Sequence, residues 1–202
     1  MIGIIDYGLG NLASVAGAVE RVGFEPVITS DPETLAHADK LILPGVGAFG
    51  DGMANLREHG LDKSLNGMVI DGGKPILGIC LGFQLMARSS DEFGHHKGLG
   101  WIDADVVALT PPDGLRVPHV GWNDLVPTAG HALWDGLDPA PLVYFVHSHH
   151  MVCDDVATVA ATTDYGGDII AAVAKDHIWA TQFHPEKSQR AGLRILENFL
   201  KA

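Results

Sequence analysis

The chain has 202 residues, 47% of them hydrophobic and 19% charged, with a formal net charge of −12. That length suits one well-packed domain and is thin for two, and so acidic a surface repels nucleic acid and anionic membranes, which are excluded as partners. The cysteines, Cys80 and Cys153, are too few for a disulfide framework, the N-terminus lacks a signal-peptide pattern, and no apolar run reaches the roughly eighteen residues of a membrane span, so a cytoplasmic protein with reduced thiols is expected.

Ile2–Ile5 is an apolar run of buried-strand type, and Leu12, Val15, Ala16, Val19 and Val22 then recur at helical spacing. Pro26–Thr29 reads as a second strand. Asp31-Pro32 has the form of a helix N-cap followed by proline at the first helical position. Lys40–Leu43 is a third strand, ended by Pro44. A helical region lies within Asp51–Asp71 and is closed by Gly72-Gly73. Pro75–Ile79 is a fourth strand, and Leu81–Arg88 reads as helix. This alternation implies a parallel sheet covered by helices on both faces. The second half changes character. Ile102–Leu109, Leu142–Val146, Ala157–Thr163, Ile169–Ala174 and Ile178–Phe183 are strand-like, with Lys175-Asp176 at a hairpin tip between the last two. A final helix, Gln189–Leu200, carries Leu193, Leu196 and Leu200 on one face. No repeat or linker interrupts the chain. One domain over residues 1–202 is expected, with an α/β fold and additional antiparallel strands in its second half.

The strongest local feature is Gly78-Ile79-Cys80-Leu81-Gly82, at the junction of a buried strand with a helix. Glycines two before and two after a nucleophile let the backbone turn sharply and present it above the sheet edge. The helix dipole there favours a thiolate, and backbone N–H groups of the turn can face a developing oxyanion. A buried, inert cysteine flanked by packing glycines fits the same spacing, so the elbow alone leaves both readings open. A nucleophilic cysteine needs a base and a group that orients it. Phe183-His184-Pro185-Glu186 follows a predicted strand directly. On an extended backbone, residues two apart point the same way, so His184 and Glu186 lie side by side, with Pro185 stiffening the extended form.

Gly78–Gln84 together with Phe183–Glu186 resembles the class I glutamine amidotransferases, which carry a Cys-His-Glu triad on a flavodoxin-like, mostly parallel sheet flanked by helices. Further segments are similar to the glutaminase subunits of imidazole glycerol phosphate synthases. These are Asp6–Leu12, Pro44–Phe49, Lys97–Gly100, Pro118–Asn123 and Tyr144–Ser148, with Lys187 after His-Pro-Glu. One departure is His149, where a tyrosine is usual. The resemblance implies that Cys80 attacks the carboxamide of L-glutamine, with His184 as base and then acid, oriented by Glu186. It implies backbone N–H groups near Gly47 and Leu81 for the oxyanion, and Gln84, His147 and Ser148 for the glutamine. Asn11, Trp122, Tyr144 and Lys187 would lie near an interface with a (β/α)8-barrel cyclase subunit. That partner would take the ammonia and form imidazole glycerol phosphate in histidine biosynthesis. No cofactor and no metal are implied. Gly45-Val46-Gly47 permits a peptide flip, so a gated oxyanion hole is expected.

Other readings compete. Gly8–Ala13 fits the G-x-G-x-x-G/A dinucleotide fingerprint, with Asp31 about twenty residues on. That reading leaves the elbow and His-Pro-Glu unexplained. His147, His149 and His150 suggest a metal site, but no cysteine or carboxylate within the motif completes it. A silent binding module on the same fold is a different class, although no triad member is missing. Within the enzymes, the glutaminase subunit of anthranilate synthase is the alternative; it lacks the Pro-His-Val-Gly-Trp-Asn segment.

Overall fold

The computed structural model describes residues 1–128 and 130–202. The first half runs β1 (Ile2–Ile5), α1 (Leu12–Arg21), β2 (Pro26–Thr29), α2 (Pro32–His37), β3 (Lys40–Leu43), α3 (Phe49–Glu58), α4 (Leu61–Asn66), β4 (Ile76–Ile79) and α5 (Leu81–Leu85). The second half is strand-rich: β5 (Ser89–Ser90), β6 (His96–Lys97), β7 (Ala104–Ala108), β8 (His119–Asp124), β9 (Val126–Pro127), β10 (Leu142–His147), β11 (His149–Cys153), β12 (Val159–Asp164), β13 (Asp168–Lys175) and β14 (Ile178–Thr181). Helix α6 (Gln189–Lys201) ends the chain.

An eight-stranded sheet has the order β2-β1-β3-β4-β14-β13-β12-β9. Neighbours from β2 to β14 pair parallel, and the junctions beyond are antiparallel. With β14 as the last parallel strand, this is the flavodoxin-like order with an antiparallel extension. Alternate side chains feed two cores. Ile4 and Leu77 pack with Val15 and Val19 of α1 and Ile195, Leu196 and Phe199 of α6. Ile5, Leu41 and Ile76 pack with Leu35 of α2, Met53 and Leu56 of α3, and Leu61 and Leu65 of α4. That alternation is the period-two geometry of strands buried on both faces. Smaller sheets, β10-β8 and β11-β7-β5-β6, complete the second half. No helix among the described residues is long and apolar enough to cross a membrane.

The elements differ from the sequence expectation where tertiary contacts intervene. The helical region within Asp51–Asp71 breaks at His59-Gly60, where Gly60 has φ 66°, into α3 and α4, and then ends in a π turn over Gly67–Asp71. The helix expected over Leu81–Arg88 stops at Leu85. The 99–102 loop captures its terminal carbonyls: Leu99 N–H donates to Leu85, Gly100 to Ala87, and Trp101 and Ile102 to Met86. These are the groups a helix C-terminus leaves unpaired. Strands β8 and β11 escaped the sequence reading. Strand β12 begins at Val159, after a 3-10 turn over Val156–Thr158.

One register fixes the position of the site. In the β4–β14 pair Ile79 stands opposite Thr181. Cys80 N–H donates to the Thr181 carbonyl at 2.8 Å. Cys80 and Gln182–His184 therefore leave the sheet together, at the carboxyl edge where ligands of open α/β sheets bind.

Candidate active site

Cys80 has φ 54° and ψ −106°, an unusual conformation for a residue with a side chain. Such strain persists only where neighbours over-determine it. Here the turn and the helix close onto β3: a Cβ on Gly82 would lie 1.8 Å from the Leu43 carbonyl oxygen. Only glycine admits that approach. Cys80 itself is 7% exposed. Its sulfur lies 3.9 Å from both the Val146 carbonyl oxygen and Gln182 Nε2.

His184 Nδ1 lies 2.7 Å from Glu186 Oε1, with both side chains almost completely buried. The juxtaposition arises differently from the extended form expected. Pro185 opens a 3-10 turn over Pro185–Lys187, which brings Glu186 back to the Nδ1 edge of the ring. The His184 backbone is clamped on both sides. Its N–H donates to the Tyr144 carbonyl at 3.0 Å, and its carbonyl accepts from the Ser188 hydroxyl at 2.6 Å. Ser188 Oγ in turn accepts from Tyr144 N–H at 2.9 Å. A carboxylate can only accept, so Nδ1 carries the proton and Nε2 is the basic nitrogen. Nε2 is buried and has no hydrogen-bond partner in this geometry. Burial disfavours the imidazolium, but the neighbouring Cys80 and the Glu186 carboxylate favour it more strongly and raise the pKa to about 9.

A cavity of about 430 Å³ gathers most of the expected site residues: Gly47, Cys80, Leu81, Gln84, His147, Ser148, His184 and Lys187 line it. Gln84 Nε2 donates to the His149 carbonyl at 3.0 Å and to Gln182 Oε1 at 2.9 Å. The His147 ring has both nitrogens engaged, Nδ1 with the His149 carbonyl and Nε2 with His119 Nδ1, each at 2.9 Å. Its ring nitrogens are thus free neither for a glutamine head group nor for a metal. Leu81 N–H is also occupied, donating to the Gly45 carbonyl at 3.4 Å. Asn11, Trp122 and Tyr144 do not line the cavity. Trp122 is 46% exposed and meets Tyr144 edge to face at 6.0 Å. A larger groove, about 530 Å³ between Gly136–Leu142 and α6, is lined by no cysteine, serine or histidine.

Several residues of the site escaped the sequence reading. Glu92 lines the cavity, accepts from Phe49 N–H at 2.7 Å and faces His149 Nδ1 at 3.4 Å. Gln182, His119 and Ser188 are buried polar residues, each with a partner distant in sequence. A lone acid in an irregular stretch, or a polar residue after an apolar run, carries no spacing signal. Asp31, the acid of the fingerprint alternative, caps α2, accepting from Glu33 N–H, Thr34 N–H and the Thr34 hydroxyl.

Known proteins resemble this chain over nearly its whole length. The family model "Glutamine amidotransferase class-I" matches residues 3–202. Curated relatives named "Imidazole glycerol phosphate synthase subunit HisH" include one from Sulfurimonas denitrificans, 50% identical, covering 100% of this chain and 98% of the relative. Another, from Syntrophotalea carbinolica, is 51% identical and covers 98% of each chain. Among solved structures, a glutamine amidotransferase superposes with TM-score 0.76 at 23% identity, covering 99% of this chain and 97% of the other. PurLQS from Thermotoga maritima gives TM-score 0.75 at 20% identity, with the same coverage. At those identities the structures speak for the fold alone. A buried histidine–carboxylate pair beside a cysteine elbow, on a sheet of this order and with relatives of this identity, places the chain in the class I glutamine amidotransferase family, among the HisH subunits of imidazole glycerol phosphate synthase.

Proposed function

We propose that this enzyme hydrolyses L-glutamine to glutamate and ammonia with Cys80, His184 and Glu186, and delivers the ammonia to a (β/α)8-barrel cyclase partner. The partner joins it to its ribonucleotide substrate to give imidazole glycerol phosphate, a step of histidine biosynthesis. The observation that carries the reading is the buried His184–Glu186 pair, 2.7 Å apart, at the same sheet edge as the strained Cys80. His184 Nε2 holds the proton that the thiol gives up while the sulfur attacks the carboxamide carbon, and passes it to the departing nitrogen as the C–N bond breaks. Water then attacks the thioester. His184 removes its proton, glutamate leaves, and the thiol is restored.

Other features support the assignment. The Glu92 carboxylate in the cavity wall suits the ammonium of an amino acid, and Lys187, exposed and lining the same cavity, suits a carboxylate. Leu81 N–H, one of the donors expected for the oxyanion, is held by the Gly45 carbonyl. An oxyanion needs donors already aimed at it. Turning the Gly45-Val46 peptide frees Leu81 and swings a second N–H inward, which fits an enzyme that is slow until a partner binds. Trp122, Tyr144, Asn11 and Lys187 are assigned to that partner's interface. In this reading the protein is a single amidotransferase domain over residues 1–202.

The test is Cys80→Ala in the reconstituted complex. Glutamine-dependent turnover is expected to vanish while turnover driven by ammonium salt survives. Loss of both would make Cys80 a structural residue. The isolated wild-type chain is expected to hydrolyse glutamine poorly and to be stimulated by the cyclase with its nucleotide ligand. Full-rate hydrolysis by the chain alone counts against the gate.

A further inference from the structure

Within Pro118–Asn123, His119 has no task in the proposed reaction, yet it is one of the most constrained polar residues in the molecule. It lies on β8 directly opposite His147 of β10. It is 3% exposed and stacks with Tyr165 (centroids 3.9 Å apart, 23°) and Phe145 (4.7 Å, 20°). Its neighbours on the other face of β8, Val120 and Trp122, are exposed.

The hydrogen bonds around it admit one proton arrangement. The His149 carbonyl can only accept, so His147 Nδ1 carries its proton toward it, 2.9 Å away. Neutral His147 then offers Nε2 as an acceptor, which requires the proton of His119 on Nδ1, at 2.9 Å. His119 Nε2 is left as an acceptor, and Asn123 Nδ2 stands 3.3 Å from it. The Asn123 amide orientation is fixed independently: Nδ2 donates to the Asp164 carbonyl at 2.8 Å, and Oδ1 accepts from Asp124 N–H at 2.9 Å. A second proton on either ring would set two donors face to face. Burial agrees, pushing both imidazoles down to about 4. At its far end the chain reaches the cavity. The same His149 carbonyl accepts from Gln84, Gln84 donates to Gln182, and Gln182 Nε2 lies 3.9 Å from the Cys80 sulfur.

We propose that His119 is a positioning residue for glutamine binding: its Nδ1–H locks His147 in the Nδ1–H tautomer, and His147 thereby holds the His149 carbonyl and the Gln84 amide in the wall of the cavity. The proposal rests on reading that cavity as the glutamine site. It assigns to His147 an indirect role in place of a direct one.

Two substitutions separate positioning from packing. His119→Phe keeps a stacking ring and removes both nitrogens. His119→Asn gives up the ring but places an amide donor near the former Nδ1. Glutamine kcat and KM are measured in the complex with the cyclase subunit, alongside turnover driven by ammonium salt, and the ring nitrogens are read by NMR of 15N-histidine-labelled protein. Wild-type His147 is expected to be neutral with its proton on Nδ1. In His119→Phe, KM for glutamine rises about tenfold, the worth of one hydrogen bond, with kcat within about threefold and the His147 tautomer mixed. His119→Asn restores both KM and tautomer. An unchanged KM in His119→Phe, or equal damage in both variants, overturns the proposal. So does a wild-type His147 proton on Nε2, whether or not the Phe variant folds. Wild-type protein that hydrolyses no glutamine in the complex instead removes the function proposed above, and the spectra still judge the tautomer chain.

Discussion

Glu186 holds His184 with one oxygen, while its second oxygen is buried without a hydrogen-bond partner. The carboxylate's task is therefore narrow: it fixes the imidazole tautomer and supports the imidazolium. Glu186→Gln is expected to lower the kcat of glutamine hydrolysis by roughly 10²–10⁴-fold with KM little changed, because it supports the wrong tautomer. Steady-state kinetics in the complex measure this, and a pure KM effect would assign Glu186 to substrate binding. The histidines also set the pH dependence of stability. His119 and His147 stay neutral when folded, with pKa about 4, while the unfolded chain protonates them near 6.5. Stability therefore rises with pH from about 4 to 6.5, with a loss on the order of 2 kcal/mol for each of them by pH 5. His184 has the opposite sign. Its pKa is raised to about 9, so its contribution is complete below about 6.5 and fades as pH climbs through 9. Urea midpoints across this range should pass through a maximum near neutrality, and His119→Phe should flatten the acid limb.

At the scale of elements, the turn between β4 and α5 is the part with least tolerance. Gly82→Ala forces a Cβ to 1.8 Å from the Leu43 carbonyl oxygen, and neither β3 nor the helix can yield without moving Cys80. It should destabilise by about 3 kcal/mol or more, the upper end of overpacking, and abolish glutaminase activity. Gly17 in α1 provides the contrast. It is exposed, and a Cβ there meets nothing within 4 Å. Gly17→Ala should stabilise by about 0.5–1 kcal/mol and leave activity unchanged. Denaturant titration of both variants checks the pair, and equal effects would mean that helix propensity, not close approach, governs them.

For the whole molecule, the β8–β10 pair separates the proposed chemistry from the proposed association surface. Strand β10 carries His147 at the cavity and, through the Tyr144 backbone, clamps His184. Strand β8 holds His119 inward and Trp122 and Val120 outward. The exposed Trp122 suits the proposed partner interface, where aromatic residues are enriched. Trp122→Ala should weaken association with the cyclase by about 2 kcal/mol while shifting the isolated chain's stability by less than about 0.5 kcal/mol. Titration calorimetry against the cyclase and a melt of the free chain test both halves. Unimpaired binding would place the interface elsewhere.

The local code was sufficient for much of this. Apolar runs and helical spacing gave β1 to β4, α1, α2 and α6, because those segments answer to period and capping alone, as with Asp31 at the start of α2. The Gly-x-Cys-x-Gly spacing gave the elbow, and His-Pro-Glu gave the pair proposed as base and orienter, though by an extended form where a 3-10 turn exists. What the sequence left open depended on contacts between distant segments. The end of α5 is set by a loop some fifteen residues later, which takes its carbonyls. The β4–β14 register brings the Cys80 and His184 segments to one sheet edge, and Tyr144 and Ser188 clamp the His184 backbone there. The availability of Leu81 N–H is decided by the Gly45 carbonyl, and the tautomer of His147 by a ring on another strand. By itself the sequence named the residues proposed to react, since reactivity belongs to side-chain chemistry. Tertiary structure decided which of their protons and lone pairs remain free, because each hydrogen bond is satisfied by whichever group the fold brings within about 3 Å.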